Sequence, residues 1–270
     1  MHLFDTDIHG LLARRGPDCF SVVISPAWSI NTVPNGGYLM ALAAAAVMEM
    51  TDKRALPIMT VNYLARSIPG DAEIRVEPMV RAGSFERYRV NLSQAGEVKF
   101  MAFATLASAD SGTASRDHRY YEEPPPDLPD PGVCNAMPPM PGYTLYENMD
   151  VRIDPAFSGW MTGGSMATRS EHRGWIRFRE PRPLDTLGVL LMADAFPPPI
   201  FATQGMVSWV PTLEFSVNIR NITVSSWVKA VFRTRFVNRG MLEEDGQLWD
   251  EAGELVAVSR QIAQYRRISS

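Results

Sequence analysis

The chain carries the same plan twice: an apolar helix followed by amphipathic strands that end in a matching way. The first half ends with a turn at Ala95-Gly96 and an apolar strand over Val98 to Ala107. The second half ends with the same dipeptide at Ala252-Gly253 and an apolar strand over Leu255 to Tyr265. An internal repeat of this size predicts two copies of one unit that bury their apolar faces against each other.

Each half also contains an apolar helix-forming run. In the first half, Asn35-Gly36-Gly37 opens the run from Tyr38 to Met50, which is rich in alanine. In the second half a helix is predicted over Asp185 to Ala195. Because the first of these helices is apolar on nearly all sides, we expect other elements to enclose it. One buried helix and one antiparallel sheet, repeated once, predict an α+β fold with two sheets, each wrapped round a long helix.

Further strands are predicted where apolar residues alternate between turn dipeptides. In the first half they cover Phe20 to Trp28, Met59 to Leu64, Ala72 to Val80 and Tyr88 to Gln94. In the second half they cover Trp175 to Arg179, Thr212 to Ile219, Trp227 to Phe236 and a short segment at Gln247 to Trp249.

A proline-rich segment separates the two halves. Eight prolines fall between Tyr121 and Gly142, and proline cannot donate a backbone hydrogen bond. The segment therefore reads as a stiff, partly extended linker. We divide the chain into an N-terminal repeat (residues 1–120), a linker (121–145) and a C-terminal repeat (146–270).

Composition excludes several classes of function. The 270 residues are 46% apolar and 21% charged with a net charge of -4, so a basic surface for nucleic acid is not expected. The longest apolar run, Tyr38 to Met48, is too short to cross a bilayer, and the N-terminus lacks the pattern of a signal peptide. Cys19 and Cys134 are far apart and form no paired motif. We expect a cytoplasmic protein.

Two other kinds of site are disfavoured. The segment Gly163 to Ala167 resembles a nucleophile elbow, but that arrangement needs a preceding strand and a late histidine, and none follows His172. The histidines lack metal-ligand spacing and are scattered over the chain at His2, His9, His118 and His172. The sequence predicts neither a metal site nor a redox cofactor.

The order and spacing of several short motifs resemble the thioesterase-like superfamily with the double-hotdog fold. The second half is similar to the type II acyl-CoA thioesterases. The resemblance covers nearly the whole chain outside the linker. It rests on Asn35-Gly36-Gly37-Tyr38, Asn62-Tyr63-Leu64, Pro69-Gly70-Asp71, Met192 to Pro197, Thr212 to Ser216 and Leu255 to Gln261.

The resemblance implies a set of catalytic residues. In that family an Asp after the second helix, a Ser or Thr on the next strand and a Gln on the last strand orient a water that attacks the thioester carbonyl. The matching residues here are Asp194, Thr212 and Gln261. An acid near the end of a helix is unfavourable for the helix dipole, which favours a functional reason for Asp194. When the two turn dipeptides are aligned, Gln261 falls opposite Ala104 in a strand that is otherwise apolar.

The start of the first helix offers candidate oxyanion donors. The first backbone N–H groups of a helix have no partner inside it, so those of Gly36, Gly37 and Tyr38 are predicted to stabilise a developing negative charge and contact substrate. Glycine there would let an acyl group approach the backbone closely. In the alternative interpretation, these glycines only form a tight turn.

The resemblance implies an acyl-CoA thioesterase that releases free acid and coenzyme A. We expect a homo-oligomer. We also expect one site in each chain, near the junction of its halves. The family often has an Asp-His pair where Glu214-Phe215 stands here. That departure motivates an alternative, a non-catalytic protein that binds acyl-CoA or an acyl carrier. A hotdog hydratase or dehydratase is a third possibility, disfavoured by the missing Asp-His pair. A basic stretch either meets coenzyme A phosphates or forms a solvated strand face; it comprises Arg169, Arg173, Arg177, Arg179 and Arg182.

Overall fold

The computed structural model describes residues 1–108 and 120–267. His118 and residues 109–119 of the predicted N-terminal repeat lie outside the described residues. The helices are α1 (Leu3–Asp5), α2 (Gly36–Met48), α3 (Leu145–Asn148), α4 (Gly159–Thr162), α5 (Thr186–Met192) and α6 (Phe201–Gln204). A π-helical turn covers Thr6–Gly10, and 3₁₀ turns cover Pro26–Trp28 and Pro155–Phe157.

The strands fall into two groups along the chain. Those of the first group are β1 (Ala13–Arg14), β2 (Cys19–Ile24), β3 (Ser29–Ile30), β4 (Val33–Pro34), β5 (Ala55–Tyr63), β6 (Gly70–Ala82), β7 (Phe85–Gln94) and β8 (Glu97–Ala107). Those of the second group are β9 (Asn135–Ala136), β10 (Met149–Ile153), β11 (Glu171–Phe178), β12 (Ser208–Trp209), β13 (Thr212–Ile219), β14 (Val228–Arg233), β15 (Val237–Asn238), β16 (Met241–Trp249), β17 (Leu255–Gln264) and β18 (Arg266–Arg267).

One antiparallel sheet of 14 strands runs through both halves. Its order is β1-β2-β6-β7-β8-β5-β13-β17-β16-β14-β11-β10-β9, with β15 paired beside β16. The predicted α+β architecture is confirmed, and the two expected sheets are continuous because β5 pairs with β13. Thr60 stands opposite Ser216 in that pair, and their hydroxyl oxygens are 2.9 Å apart. The neighbouring pairs, Met59 with Val217 and Val61 with Phe215, show that the halves are related by an approximate two-fold axis at this point.

The two central helices lie inside this curved sheet. Every residue of α2 from Gly37 to Val47 is buried, as its all-round apolar sequence predicts. Helix α5 covers less than the predicted span of Asp185 to Ala195. It ends at Met192, five residues before Pro197. Proline disfavours helical backbone in the residue before it, and three prolines follow one another here. No helix among residues 1–108 and 120–267 is long and apolar enough to span a membrane.

Several boundaries differ from the sequence prediction. The first predicted strand stops at Ile24 because Pro26 begins a 3₁₀ turn capped by the Ser25 side chain. The strand predicted from Trp227 to Phe236 is shorter in the structure, where β14 ends at Arg233 and β15 follows as a separate short strand. Strand β16 spans nine residues and is much longer than the short segment predicted at its end. Strand β10 was not predicted, and within the linker β9 pairs with β10 at the edge of the sheet.

Candidate active site

Asp194 lies just after α5 and points at the start of α2. Its Oδ2 atom accepts a hydrogen bond from the backbone N–H of Gly37 at 3.0 Å and another from Asn35 Nδ2 at 2.9 Å. Asn35 Nδ2 also donates to the backbone oxygen of Asp194 at 2.7 Å. An acid at the C-terminal end of its own helix therefore lies at the N-terminal end of a second helix, where the dipole favours a negative charge.

Two glycines make this close contact possible. A Cβ atom on Gly37 would lie 2.4 Å from the backbone oxygen of Leu190 and 3.0 Å from Asp194 Cβ. A Cβ atom on Gly36 would lie 2.7 Å from Tyr63 Oη and 2.9 Å from Asp194 Oδ2. The hydroxyl of Tyr63 donates to the Gly36 carbonyl at 2.8 Å. The absence of side chains at positions 36 and 37 thus lets α2 touch the end of α5.

The environment of Asp194 raises the pKa of its carboxyl group towards neutral pH. Burial among protein atoms raises the pKa of its carboxyl to about 6, although hydrogen bonds from Gly37, Gly36 and Asn35 lower it. The side chain keeps some exposure to solvent. At neutral pH the group is therefore mainly ionised and can accept a proton, and it becomes neutral as the pH falls below about 6.

The predicted oxyanion donors already have acceptors in this structure. The N–H of Gly37 donates to Asp194, and the N–H of Tyr38 donates to Asn35 Oδ1 at 2.9 Å. The side chain of Tyr38 points away into the core, where its hydroxyl accepts from the N–H of Ser25 at 3.1 Å. These residues hold Asp194 and cap α2, in contrast to the free donors expected. Their role as oxyanion donors stays a prediction.

Thr212 and Gln261 form a second polar unit on neighbouring strands. Thr212 Oγ1, at the start of β13, donates to Gln261 Oε1 on β17 at 2.6 Å. The register of this strand pair shifts between Thr212 and Glu214, a bulge that sets the direction of the Thr212 side chain independently of the strand that follows. Gln261 is buried and Thr212 is half-buried. The buried amide that the sequence singled out therefore has a hydrogen-bond partner.

Glu244 on β16 is a residue of this region that the sequence analysis missed. It stands directly opposite Gln261 in the β16–β17 pair and is 3% exposed. Burial and, to a smaller extent, the charge of Asp194 raise its pKa, and a side-chain hydrogen bond from Gln261 lowers it, so that the pKa is about 8. The influence of Asp194 and the bond from Gln261 join the two polar units. The alternation of buried Leu242, Glu244 and Leu248 is the sequence signal for its inward direction.

The other candidate motifs do not form sites of their own. Residues 163–167 follow helix α4, with no strand before them, so they are not a nucleophile elbow. The ring of His172 is buried, its Nδ1 is 2.9 Å from the Pro197 oxygen, and burial lowers its pKa to about 4. In the part of the chain that the structure describes, no group of three or more His, Cys, Asp or Glu could hold a metal ion.

The basic stretch of the second half is largely engaged in ion pairs. Arg173 Nε lies 2.9 Å from an oxygen of Asp154, and an Arg177 nitrogen lies 3.4 Å from one of Asp150. Arg182 contacts carboxylates of both Asp5 and Asp185 at 2.7 and 2.6 Å. These ion pairs favour a structural role over phosphate binding for the three arginines. The solvated strand face fits Arg173 and Arg177, whereas the Arg182 side chain is buried.

Comparisons with known proteins agree with this architecture. The family model of the acyl-CoA thioesterase N-terminal domain matches residues 24–107, and that of the C-terminal domain matches residues 122–265. The chain belongs to the acyl-CoA thioesterase family. An uncharacterized protein of Mycobacterium tuberculosis is 24% identical over 276 residues, covering 92% of this chain and 91% of that protein.

Solved structures similar to this chain share its fold over nearly their whole length. A Thermobifida fusca protein described as a candidate thioesterase II is 26% identical, with a TM-score of 0.88 and coverage of 99% of this chain and 98% of that one. A hot-dog-fold protein of Alicyclobacillus acidocaldarius is 21% identical, with a TM-score of 0.86 and full coverage of both chains. The predicted double-hotdog fold is thereby confirmed.

Proposed function

We propose that this member of the acyl-CoA thioesterase family hydrolyses an acyl-CoA thioester to the free acid and coenzyme A. In this proposal, Asp194, Thr212 and Gln261 orient the attacking water. The observation that carries it is the Asp194 carboxylate, which donors from the first repeat hold in place. Its charge acts on Glu244, which stands opposite Gln261 of the Gln261–Thr212 unit.

The chemistry requires a base and a fixed direction of attack. Ionised Asp194 takes a proton from the water as its oxygen bonds to the thioester carbonyl carbon. The carbon–sulfur bond then breaks, and the coenzyme A sulfur takes up the proton that Asp194 holds. Because the hydroxyl hydrogen of Thr212 is directed to Gln261, its oxygen keeps lone pairs that can accept a hydrogen bond from the water. This is a positioning contribution.

The altered Glu214-Phe215 segment leaves these three residues in place. Glu214 is exposed on the sheet, so its side chain is turned away from the buried Gln261. Phe215 is 1% exposed and stands opposite Gln261 as an apolar wall. The side chains present thus favour hydrolysis over binding alone. A hydratase would need an accessible histidine, and His172, the histidine of the second repeat, is fully buried.

Thiol release from acyl-CoAs of several chain lengths tests the proposal. We expect Asp194→Asn to lower kcat by roughly 10²- to 10⁴-fold, because the proton acceptor is removed. The matched control is Glu49→Gln, which neutralises an exposed acid at the C-terminal end of the other central helix, α2. Full activity in Asp194→Asn would contradict the assigned base. Binding without thiol release by the wild type would favour the non-catalytic alternative.

The pH dependence gives a second measurement on the same residue. Because the ionised form of Asp194 is the active one, kcat/KM should fall about tenfold per pH unit below the pKa of about 6. This decline at low pH should be present in Glu49→Gln and absent from the residual activity of Asp194→Asn. A wild-type rate that is level from pH 7 to pH 5 would exclude Asp194 as the base.

A further inference from the structure

Glu244 is a buried carboxyl group without a cation to balance it. Its side chain is 3% exposed, and its Oε2 atom has no hydrogen-bond partner. None of the ion pairs formed by residues 1–108 and 120–267 includes it. An ionised carboxylate is strongly disfavoured in such surroundings unless it is paired, so the group favours its neutral form.

The groups that face Glu244 explain why it stands apart from the acids beside it. Asp245 lies on the opposite face of β16, where Arg260 and Arg235 contact it at 2.6 and 2.9 Å. Arg233 of β14 stands opposite Asp245 and pairs with Glu171 at 2.8 Å. Towards Glu244 the charged group is Asp194 at the end of α5, and the polar group is Gln261 of β17.

The Gln261 amide is held at both ends. Its oxygen accepts the Thr212 hydroxyl at 2.6 Å, which turns its NH₂ group the other way. Glu244 stands opposite Gln261 across the strand pair and receives a side-chain hydrogen bond from it. Without the Glu244 side chain, the NH₂ group of this buried amide would lose its acceptor. The carboxyl group therefore supports the amide in the position that presents its oxygen to Thr212.

We propose that Glu244 is a positioning residue of the proposed thioesterase site, a neutral carboxyl group that fixes the Gln261 amide beside ionised Asp194. The inference rests on the proposed function. A second negative charge here would oppose the negative charge that develops on the thioester oxygen during attack. The pair of carboxyl groups therefore works with one proton, held on Glu244.

Two substitutions at this position separate charge from shape. Glu244→Gln is neutral and of nearly the same size, so we expect kcat at pH 7 within about threefold of the wild type. Glu244→Ala removes the support of the amide, and we expect kcat to fall at least about tenfold with KM within about twofold. The matched control is Glu243→Gln, on the preceding residue and the opposite face. If Glu244→Gln is as impaired as Glu244→Ala, the ionised form is required and the proposal is overturned.

The pH profile distinguishes positioning from a purely structural role. Ionisation of Glu244 near its pKa of about 8 should lower the wild-type kcat/KM at high pH. Glu244→Gln should lose that decline, while Glu243→Gln should keep it. A high-pH decline that is unchanged in Glu244→Gln would overturn the proposal.

Thermal unfolding tests the neutral state of Glu244 without any substrate. Its folded pKa of about 8 exceeds the ordinary 4.5, so the folded state holds an extra proton between these values and loses stability as the pH rises through them. The wild-type Tm should therefore fall relative to that of Glu244→Gln between pH 5 and pH 8, and Glu243→Gln should follow the wild type. Parallel Tm curves would refute a neutral Glu244. Absence of thiol release in the wild type would instead refute the proposed hydrolysis.

Discussion

The two repeats have the same set of three central strands, but the side chains at corresponding positions are polar in one repeat and mainly apolar in the other. In the second repeat, Gln261 stands between Glu244 and Phe215. In the first repeat, Ala104 holds the corresponding place between Tyr88 and Met59, and all three are buried. The same backbone therefore supports a polar site in one copy and ordinary apolar core in the other.

The central helices also differ at corresponding positions, with an apolar residue in the first repeat and an acid in the second. The N-caps Asn35 and Asp185 each accept from the N–H three residues later, which aligns the two helices. Nine residues after its N-cap, α2 has Ala44, which is fully buried, and the second repeat has Asp194. At the helix starts the first repeat has Gly36-Gly37 where the second has larger residues, Thr186-Leu187.

The proposed site combines different contributions from the two repeats. The first repeat supplies backbone N–H groups and Asn35, and it can approach closely because of its glycines. The second repeat supplies the carboxyl, hydroxyl and amide side chains. Neither repeat has the full set of groups, and Asp194 of the second repeat is bonded to residues of the first.

The largest expected effect comes from placing the acid in the wrong copy. Ala44→Asp would place a carboxylate at a fully buried position. The corresponding helix start, Thr186-Leu187, has side chains where Gly36-Gly37 in the first repeat have none. We expect a loss of about 3 kcal/mol or more in the free energy of unfolding, measured by urea denaturation. The matched change, Asp194→Ala, makes the second copy like the first and should cost far less stability while abolishing thiol release. Wild-type stability in Ala44→Asp would show that the helix starts are equivalent.

A smaller effect should separate the two glycines. Gly37→Ala places a methyl group against backbone atoms of α5, so we expect about 2 kcal/mol of destabilisation, reduced slightly by the helix propensity of alanine. Gly36→Ala meets the ends of the Tyr63 and Asp194 side chains. We expect it to cost less stability than Gly37→Ala but to lower kcat, because it displaces the Asp194 carboxylate. Equal urea midpoints for the two variants would contradict the close packing of α2 on α5.

The smallest effect tests the hydroxyl group that the first copy lacks. Leu56 holds the place in β5 that Thr212 holds in β13, four residues before Thr60 and Ser216 respectively. We expect Thr212→Val, which keeps the shape of the side chain, to lower kcat about tenfold, the size of a lost hydrogen bond near 1.4 kcal/mol. Thr212→Ser should stay within about threefold of the wild type. Equal rates of thiol release in Val and Ser variants would remove Thr212 from the proposed mechanism.

Much of this arrangement could be predicted from the sequence. The alternation and turn signals located β13 at its observed bounds and most other long strands to within a few residues. Alignment of the two turn dipeptides made Gln261 the counterpart of Ala104. The strand pairing agrees, because Gln261 stands opposite Glu244 in the second repeat and Ala104 stands opposite Tyr88 in the first. The buried character of α2 followed from its composition alone.

The rest depends on contacts between distant parts of the chain. Glu244 lies in the acidic run Glu243-Glu244-Asp245, which reads as a solvated strand end until the strand register turns its middle residue inward. The N–H group of Gly37 was expected to be free, because its acceptor, Asp194, is 157 residues away in the sequence. The junction of β5 with β13 likewise involves two strands that each could have remained an edge.

The repeat, most helices and strands, and the candidates Asp194, Thr212 and Gln261 could be predicted from the sequence. Local hydrophobic periodicity, turn chemistry and the family resemblance are enough for those features. The contact of Asp194 with the glycine start of α2, and the direction of Glu244 towards Gln261, depend on tertiary contacts. Side chains alternate across a strand with a period of two, so a slip of one residue would reverse every direction in β16. That register is fixed by long-range packing of the two repeats against each other.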